Sequence, residues 1–285
     1  MSIGHAVGEL RQHWRDTYWW HHRFWERVGA LMPDPGGQPA ITYDWDILLV
    51  LDGCRYDMFC EAVAKFPRLR GRTRRHYSHG SASDEWIRAN FRDRDLRQMV
   101  AATANPYYET ELPAGTFAEI DHVWRHSWDD ELGTVRAAPV ARAVRDLATR
   151  HPYNRVVGHF MQPHYPFVPT PLGGGGEGLR GRADGDSSAR SDRPVWARGL
   201  SGEIPWSVIK EGYRENLKYV LEAVDELVAT LNAEQKIVIT ADHGNAFGER
   251  FFGIPVAGHP PNLPIASLRT VPWHRVGERH RIRDD

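Results

Sequence analysis

Two adjoining stretches, "YRENLKYVLEAVDELVATLN" (Tyr213 to Asn232) and "KIVITADHGNAFGER" (Lys236 to Arg250), decide the fold. In the first, Leu217, Val220, Leu221, Val224, Leu227, Val228 and Leu231 recur at the three- and four-residue intervals of one helical face. In the second, the short apolar run "KIVITA" reads as a buried strand, and it ends on an Asp-His pair, Asp242 and His243, followed by Gly244. A helix leading into a strand buried on both faces is the repeating unit of a parallel sheet covered by helices.

Working outward, the same alternation recurs. "WDILLVL" (Trp45 to Leu51) reads as a buried strand, and "RYDMFCEAVAKF" behind it as a helix. "QMVAATA" (Gln98 to Ala104) is a second strand, closed by Asn105 and Pro106. "PVARAVRDLATRH" is a helix, "NRVVGHFM" a third strand that breaks into "QPHYPFVPTP", and "LRTVPWHRV" a last strand. The expected fold class is therefore α/β, a doubly wound, mainly parallel central sheet with helices on both faces.

The bulk numbers agree with an ordinary globular chain. The 285 residues are 41% hydrophobic and 26% charged, with a formal net charge of −1. That balance gives no reason to expect a nucleic-acid partner, and the basic run "RLRGRTRR" (Arg68 to Arg75) reads as a solvated face. Two cysteines, Cys54 and Cys60, form no disulfide framework and suit a reducing compartment. No apolar run reaches membrane-spanning length and no signal-peptide pattern opens the sequence, so a cytoplasmic location is expected.

The expected organisation has an aromatic helical appendage over residues 1–32, a Pro/Gly linker over 33–42 and a catalytic domain over 43–277. A Gly-, Ser-, Arg- and Asp-rich insertion over 172–194 is expected to be flexible, and 278–285 is a charged tail. Trp14, Tyr18, Trp25 and Val28 fall near helical spacing in the appendage. Such a stripe packs on the main domain, or else touches a membrane or a partner peripherally.

Polar residues close several strands. Asp52 ends the first, His159 and His164 lie at the end of the third, and Asp242 with His243 ends a later one. In a doubly wound sheet these carboxyl ends share one edge, where ligands bind. Singly, Asp52 equally caps a helix, His164 is a loop residue and Asp242–His243 a polar turn; together they favour a site. Two carboxylates and an imidazole suit zinc, manganese or magnesium and leave positions open for a water or substrate oxygen. In "HYSHGSASDEWIRANF" (His76 to Phe91) a Gly-Ser step precedes a helix, so Ser81 or Ser83 is either an N-cap or a nucleophile.

Taken in order, "ILLVLDGCRYD", "SHGSASDEW", "QPHYP", "ITADHGNAFGE" and the "GHP" at Gly258 to Pro260 resemble the alkaline phosphatase superfamily in its sulfatase-like branch. The resemblance covers about residues 43 to 275. It implies that Asp52, Asp242 and His243 bind a divalent cation (manganese, zinc or magnesium, or calcium in a sulfatase) and that Ser81, with Ser83 as the alternative, is the nucleophile. It further implies that His164 contacts the transferred phosphoryl or sulfuryl group, that His259 is a metal or substrate ligand, and that Arg55 orients a carboxylate or touches the anion. A pairing of Arg55 with Asp57 is the plainer reading of that arginine. The sequence lacks the "C/S-x-P-x-R" segment that sulfatases oxidise to formylglycine, and His243 stands where sulfatases commonly carry Asn. Both departures favour phosphate mono- or diesters over sulfate esters. The alternatives are a sulfuric ester hydrolase without formylglycine, or a non-catalytic member binding a metal or anionic glycan. No second set of "D-x-x-x-H" ligands is present, so one cation is expected rather than two. The expected partner is an anionic ester, such as a glycan or a lipid head group.

Overall fold

The computed structural model describes residues 14–33, 36–173 and 194–277. Residues 1–13, most of the expected insertion (174–193) and the charged tail (278–285) lie outside the described residues.

The strands run, in chain order, β1 (Ile47–Leu51), β2 (Gly71–Tyr77), β3 (Leu96–Thr103), β4 (Phe117–His122), β5 (Trp128–Asp129), β6 (Thr134–Val135), β7 (Arg155–Phe160), β8 (Ile237–Thr240), β9 (Ala246–Phe251), β10 (Ile254–Gly258) and β11 (Thr270–Val276). A seven-stranded sheet has the order β2-β11-β8-β1-β7-β3-β4, while β9–β10 and β5–β6 form separate two-stranded pairs. The pairings from β8 through β4 are parallel; β11 lies antiparallel to both β8 and β2. The α/β, mostly parallel architecture expected from the sequence is present.

Strand β1 is central, and all five of its residues are buried. Ile47, Leu49 and Leu51 share one core with Phe59, Val144, Leu147, Leu217, Val220, Leu221 and Val224. These neighbours come from the helices Tyr56–Val63, Ala137–Arg150 and Trp206–Thr230. Leu48 and Val50 belong to the opposite core with Trp86, Ile87 and Phe91 of the helix Ser83–Phe91, and with Trp273 of β11. Each fully buried aliphatic side chain of this kind contributes about 1.5–3 kcal/mol. Alternation along one strand thus joins two layers of helices.

The basic run does more than face solvent. Its residues Gly71 to Arg75, continued by His76 and Tyr77, form the edge strand β2, paired along its length with β11, while Arg72, Arg74 and Arg75 stay exposed. Charged side chains on an edge strand discourage further pairing.

The N-terminal helix Thr17–Leu31 begins at Asp16, whose carboxylate accepts from the Tyr18 and Trp19 N–H groups. Trp25 is fully buried with Ala246, Val256, Leu263 and Leu268, and its ring meets Phe251 at 5.9 Å. Gly29 permits the tightest approach: a Cβ there would fall 2.2 Å from Pro261 O. The end of the expected linker is also packed, since Ala40 is buried and its N–H donates to Asn90 Oδ1 at 2.6 Å. Among the described residues no helix is long and apolar enough to cross a membrane.

Candidate active site

Four neighbouring parallel strands, β8, β1, β7 and β3, deliver polar groups to the carboxyl edge of the sheet. Asp242 and His243 follow β8, Asp52 follows β1, His159 lies on β7 with His164 beyond it, and Asn105 follows β3. All six are at most 4% exposed, so this is a buried polar cluster and not a surface patch.

Asp52, Asp242 and His243 each offer one ligand atom within 4.8 Å of the others. Backbone geometry holds them there. The N–H groups of Gly53 and His243 donate to Asp242 Oδ1 at 3.0 and 2.8 Å, and the Ser78 hydroxyl donates to the Asp242 carbonyl. Gly53 has φ +67°, a conformation that side-chain-bearing residues rarely adopt, and it packs within ordinary contact of His164 and His243. His243 Nδ1 lies 2.6 Å from Gly244 O and donates to it, and Nε2 faces the carboxylates, 3.6 Å from Asp52 Oδ1 and 3.5 Å from Asp242 Oδ2. The second oxygen of Asp242 and the Nε2 of His159 are buried with no hydrogen-bond partner among the described residues, 3.6 Å from each other.

Burial pushes the Asp52 carboxyl above its usual range, and the adjacent Asp242 charge adds to the effect. Burial also opposes ionisation of Asp242, but the His243 and His159 imidazoles and the Gly53 N–H outweigh it and hold Asp242 low. Two buried carboxylates with an orphaned oxygen form a site that a divalent cation would neutralise. The donor set fits such an ion.

The two serines separate clearly. Ser83 Oγ is 3.1 Å from Asp52 Oδ2 and 3.3 Å from His243 Nε2. It occupies the first position of its helix, whose N-cap is Ala82, so the expected capping role for Ser83 is absent. Ser81 faces the other way. Its hydroxyl bonds Pro260 O at 2.9 Å and accepts from Leu263 N at 3.1 Å, while its N–H donates to Glu85 Oε2 at 2.9 Å. Gly80 makes this turn possible, because a Cβ there would lie 2.6 Å from Ala82 O. The structure therefore brings Ser83, and not Ser81, to the cluster.

His164 and His259 form a pair, Nε2 to Nε2 at 2.8 Å, and His259 stacks on His243 with ring centroids 4.3 Å apart. His164 Nδ1 lies 2.6 Å from Tyr165 O and donates to it, which turns Nε2 toward His259. His259 Nδ1 is buried with no hydrogen-bond partner among the described residues. Burial, followed by the neighbouring His243 and His164 and more weakly His22, holds the His259 pKa well below its usual value.

Arg55 stands outside the cluster. Its guanidinium bonds Asp57 at 2.9 and 2.7 Å, Glu249 at 2.5 Å and the Asn245 carbonyl at 3.2 Å. Tyr213, from the long helix, accepts from Arg55 N at 2.9 Å and donates to Gly53 O at 2.8 Å, pinning the loop after β1. Asn105 is the neighbour that the motifs did not single out. Its amide donates to Asp52 Oδ2 at 2.9 Å, and its own backbone N–H is held by Thr103 Oγ1 at 2.9 Å. Its one sequence signal is the Asn-Pro break after the second apolar strand.

No protein-family model matches the sequence, and no curated protein matches it either. Solved structures do. The integral membrane protein lipooligosaccharide phosphoethanolamine transferase A from Neisseria meningitidis superposes with a TM-score of 0.54 at 12% identity, over 85% of this chain and 49% of that one. The soluble domain of the same transferase gives 0.51 at 12% identity, over 81% and 75%. The chain shares the fold of that transferase's soluble domain. It spans about half the length of the intact transferase. An alkaline phosphatase superfamily protein from Vibrio parahaemolyticus is also similar, with a TM-score of 0.47 at 13% identity over 90% and 68% of the two chains.

Proposed function

We propose that the protein is a metal-dependent phosphoric ester hydrolase or phosphotransferase whose nucleophile is Ser83. The observation that carries this reading is the Ser83 hydroxyl, seated between Asp52 Oδ2 and His243 Nε2 at the edge of a buried carboxylate cluster. Asp52, Asp242 and His243 would hold one divalent cation. When bound, that cation would supply electrostatic stabilisation of the seryl oxygen and of charge on the transferring group.

The chain's own residues supply the rest. Ser83 Oγ attacks phosphorus as its proton passes to Asp52 Oδ2, 3.1 Å away. The bond from phosphorus to the departing alcohol breaks, and the alkoxide takes a proton from solvent. Asp52 accepts the proton through Oδ2, where Asn105 also donates, while Oδ1 lies 3.6 Å from His243 Nε2. The His164–His259 pair orients the oxygens of the transferred group. Water or an acceptor alcohol then attacks the phosphoserine and releases its proton to solvent as the bond from phosphorus to Ser83 Oγ breaks, and Ser83 recovers its proton from Asp52. The transferases that share the fold are named for moving phosphoethanolamine, which supports a lipid or glycan head group as the class of anionic ester. The absence of a formylglycine segment favours phosphate over sulfate.

The test is to incubate the manganese-loaded protein with an aryl phosphodiester, quench in acid and map the adduct by mass spectrometry. Phosphate or phosphoester on Ser83, lost in Ser83→Ala and retained in Ser81→Ala, is the expected result. An adduct on another residue, or full turnover by Ser83→Ala, would overturn the assignment.

A further inference from the structure

The N-terminal helix divides into two faces of opposite character. His21, Trp25 and Gly29 point inward: His21 Nε2 is 2.7 Å from Pro255 O, Trp25 is buried, and Gly29 O accepts from the Asn262 amide at 2.6 Å. Trp20, Phe24, Arg27 and Leu31, at intervals of four, three and four residues, form the opposite stripe. Trp20, Phe24 and Leu31 are 45%, 43% and 85% exposed, an unusual concentration of large apolar surface in water. The turn of the β9–β10 hairpin, against which the helix packs, adds Phe252 at 74% exposure and Ile254.

Charge tells what this face suits. Asp16 is occupied by capping its helix, and Glu26 is paired with Arg23 and His22. Arg15 and Arg27 are exposed and make no ion pair among the described residues. The uncommitted charges beside the aromatic stripe are therefore cationic. Tryptophan and phenylalanine at the level of lipid head groups, with arginine reaching phosphates, are the chemistry of an interfacial helix. Position adds a reason. The inward face of the helix rests on Pro261 and Asn262, two and three residues beyond His259, so the stripe is carried by a helix braced against the segment that bears a residue of the candidate site.

We propose that Trp20, Phe24, Arg27 and Leu31, with Phe252 and Ile254, form a docking face for an anionic phospholipid bilayer that brings the site to esters held at the membrane surface. The bilayer contact rests on the surface itself; the second clause rests on the phosphoester reading, and the binding assay below requires no turnover.

The full chain would be sedimented with vesicles of phosphatidylcholine alone and of equal parts phosphatidylcholine and phosphatidylglycerol. Binding to the mixed vesicles, weakened by salt, is expected. The double variant Trp20→Ser/Phe24→Ser should reduce partitioning about tenfold or more, and Arg27→Glu should weaken it while leaving circular dichroism unchanged. Arg27→Glu keeps the question answerable if the double variant misfolds. Absence of binding to the mixed vesicles, or binding indifferent to Arg27→Glu, overturns the proposal. So does a wild-type dimer by light scattering that Arg27→Glu converts to monomer without vesicle binding, which would make the stripe a contact between two copies of the chain.

Discussion

Asn105 and Ser83 donate to the same oxygen of Asp52, the amide at 2.9 Å and the hydroxyl at 3.1 Å. With Oδ2 so occupied, Asp52 is fixed in rotation and its other oxygen lies 3.6 Å from His243 Nε2. Asn105→Ala should therefore loosen a ligand without touching substrate. Manganese affinity measured by calorimetry should fall about 10- to 100-fold, the usual cost of losing a residue that orients a metal ligand. Unchanged affinity would mean that Asp52 is held by other contacts.

Ion binding and folding should be linked through Asp242. Its buried second oxygen, which makes no hydrogen bond among the described residues, should leave the ion-free protein less stable than the loaded one. Adding manganese or zinc at about 100 times its dissociation constant should stabilise the wild type by about 2.7 kcal/mol. Asp242→Asn should abolish that increment in a thermal melt while keeping the fold. A metal-dependent rise of equal size in the variant would place the ion elsewhere.

Ser81 and Ser83 should respond in opposite ways to alanine. Ser81→Ala strands Leu263 N and Pro260 O around a buried hydroxyl position, a loss of about 1–3 kcal/mol in urea unfolding. Ser83 caps nothing and Asn105 still donates to Asp52 Oδ2 without it, so Ser83→Ala should cost less stability than Ser81→Ala while removing turnover. Equal destabilisation by the two substitutions would contradict the division of roles.

His76 gives a pH dependence remote from the cluster. It lies 8% exposed between Tyr43 and Trp273, with ring centroids 5.5 and 5.0 Å away. Burial, reinforced by Arg74 and His79, pushes its pKa from 6.5 down to about 4. Between those values the unfolded chain binds a proton that the folded chain refuses. Its contribution to stability is thus complete above the unfolded pKa and lost as pH falls toward 4, by up to about 3 kcal/mol. Urea midpoints from pH 7 to 4 should fall less steeply in His76→Phe than in wild type, and parallel slopes would refute the assignment.

The sheet interior was legible because burial on both faces writes itself as unbroken apolar runs, as in Ile47–Leu51 and Ile237–Thr240. Strand β2 was not, since "GRTRRHY" becomes a strand only by pairing with β11, and its exposed arginines carry no apolar period. The convergence of Asp52, Asp242 and His243 followed from strand ends sharing an edge. The choice between Ser81 and Ser83 did not, because a loop 179 residues away claims the first hydroxyl. Asn105 lay hidden for a similar reason: its partner is set by the order of strands, which local spacing does not encode.

The close seating of Gly29 on Pro261 changes where the working unit of this protein begins. A chain trimmed to start at residue 43 would retain every strand of the main sheet and every ligand atom. It would nevertheless lose the surface against which Asn262 and Leu263 rest, and with it the brace on the segment bearing His259 and on the lock around Ser81. Modularity read from the sheet is therefore misleading here: the smallest piece that folds and the smallest piece that works are expected to have different starting points.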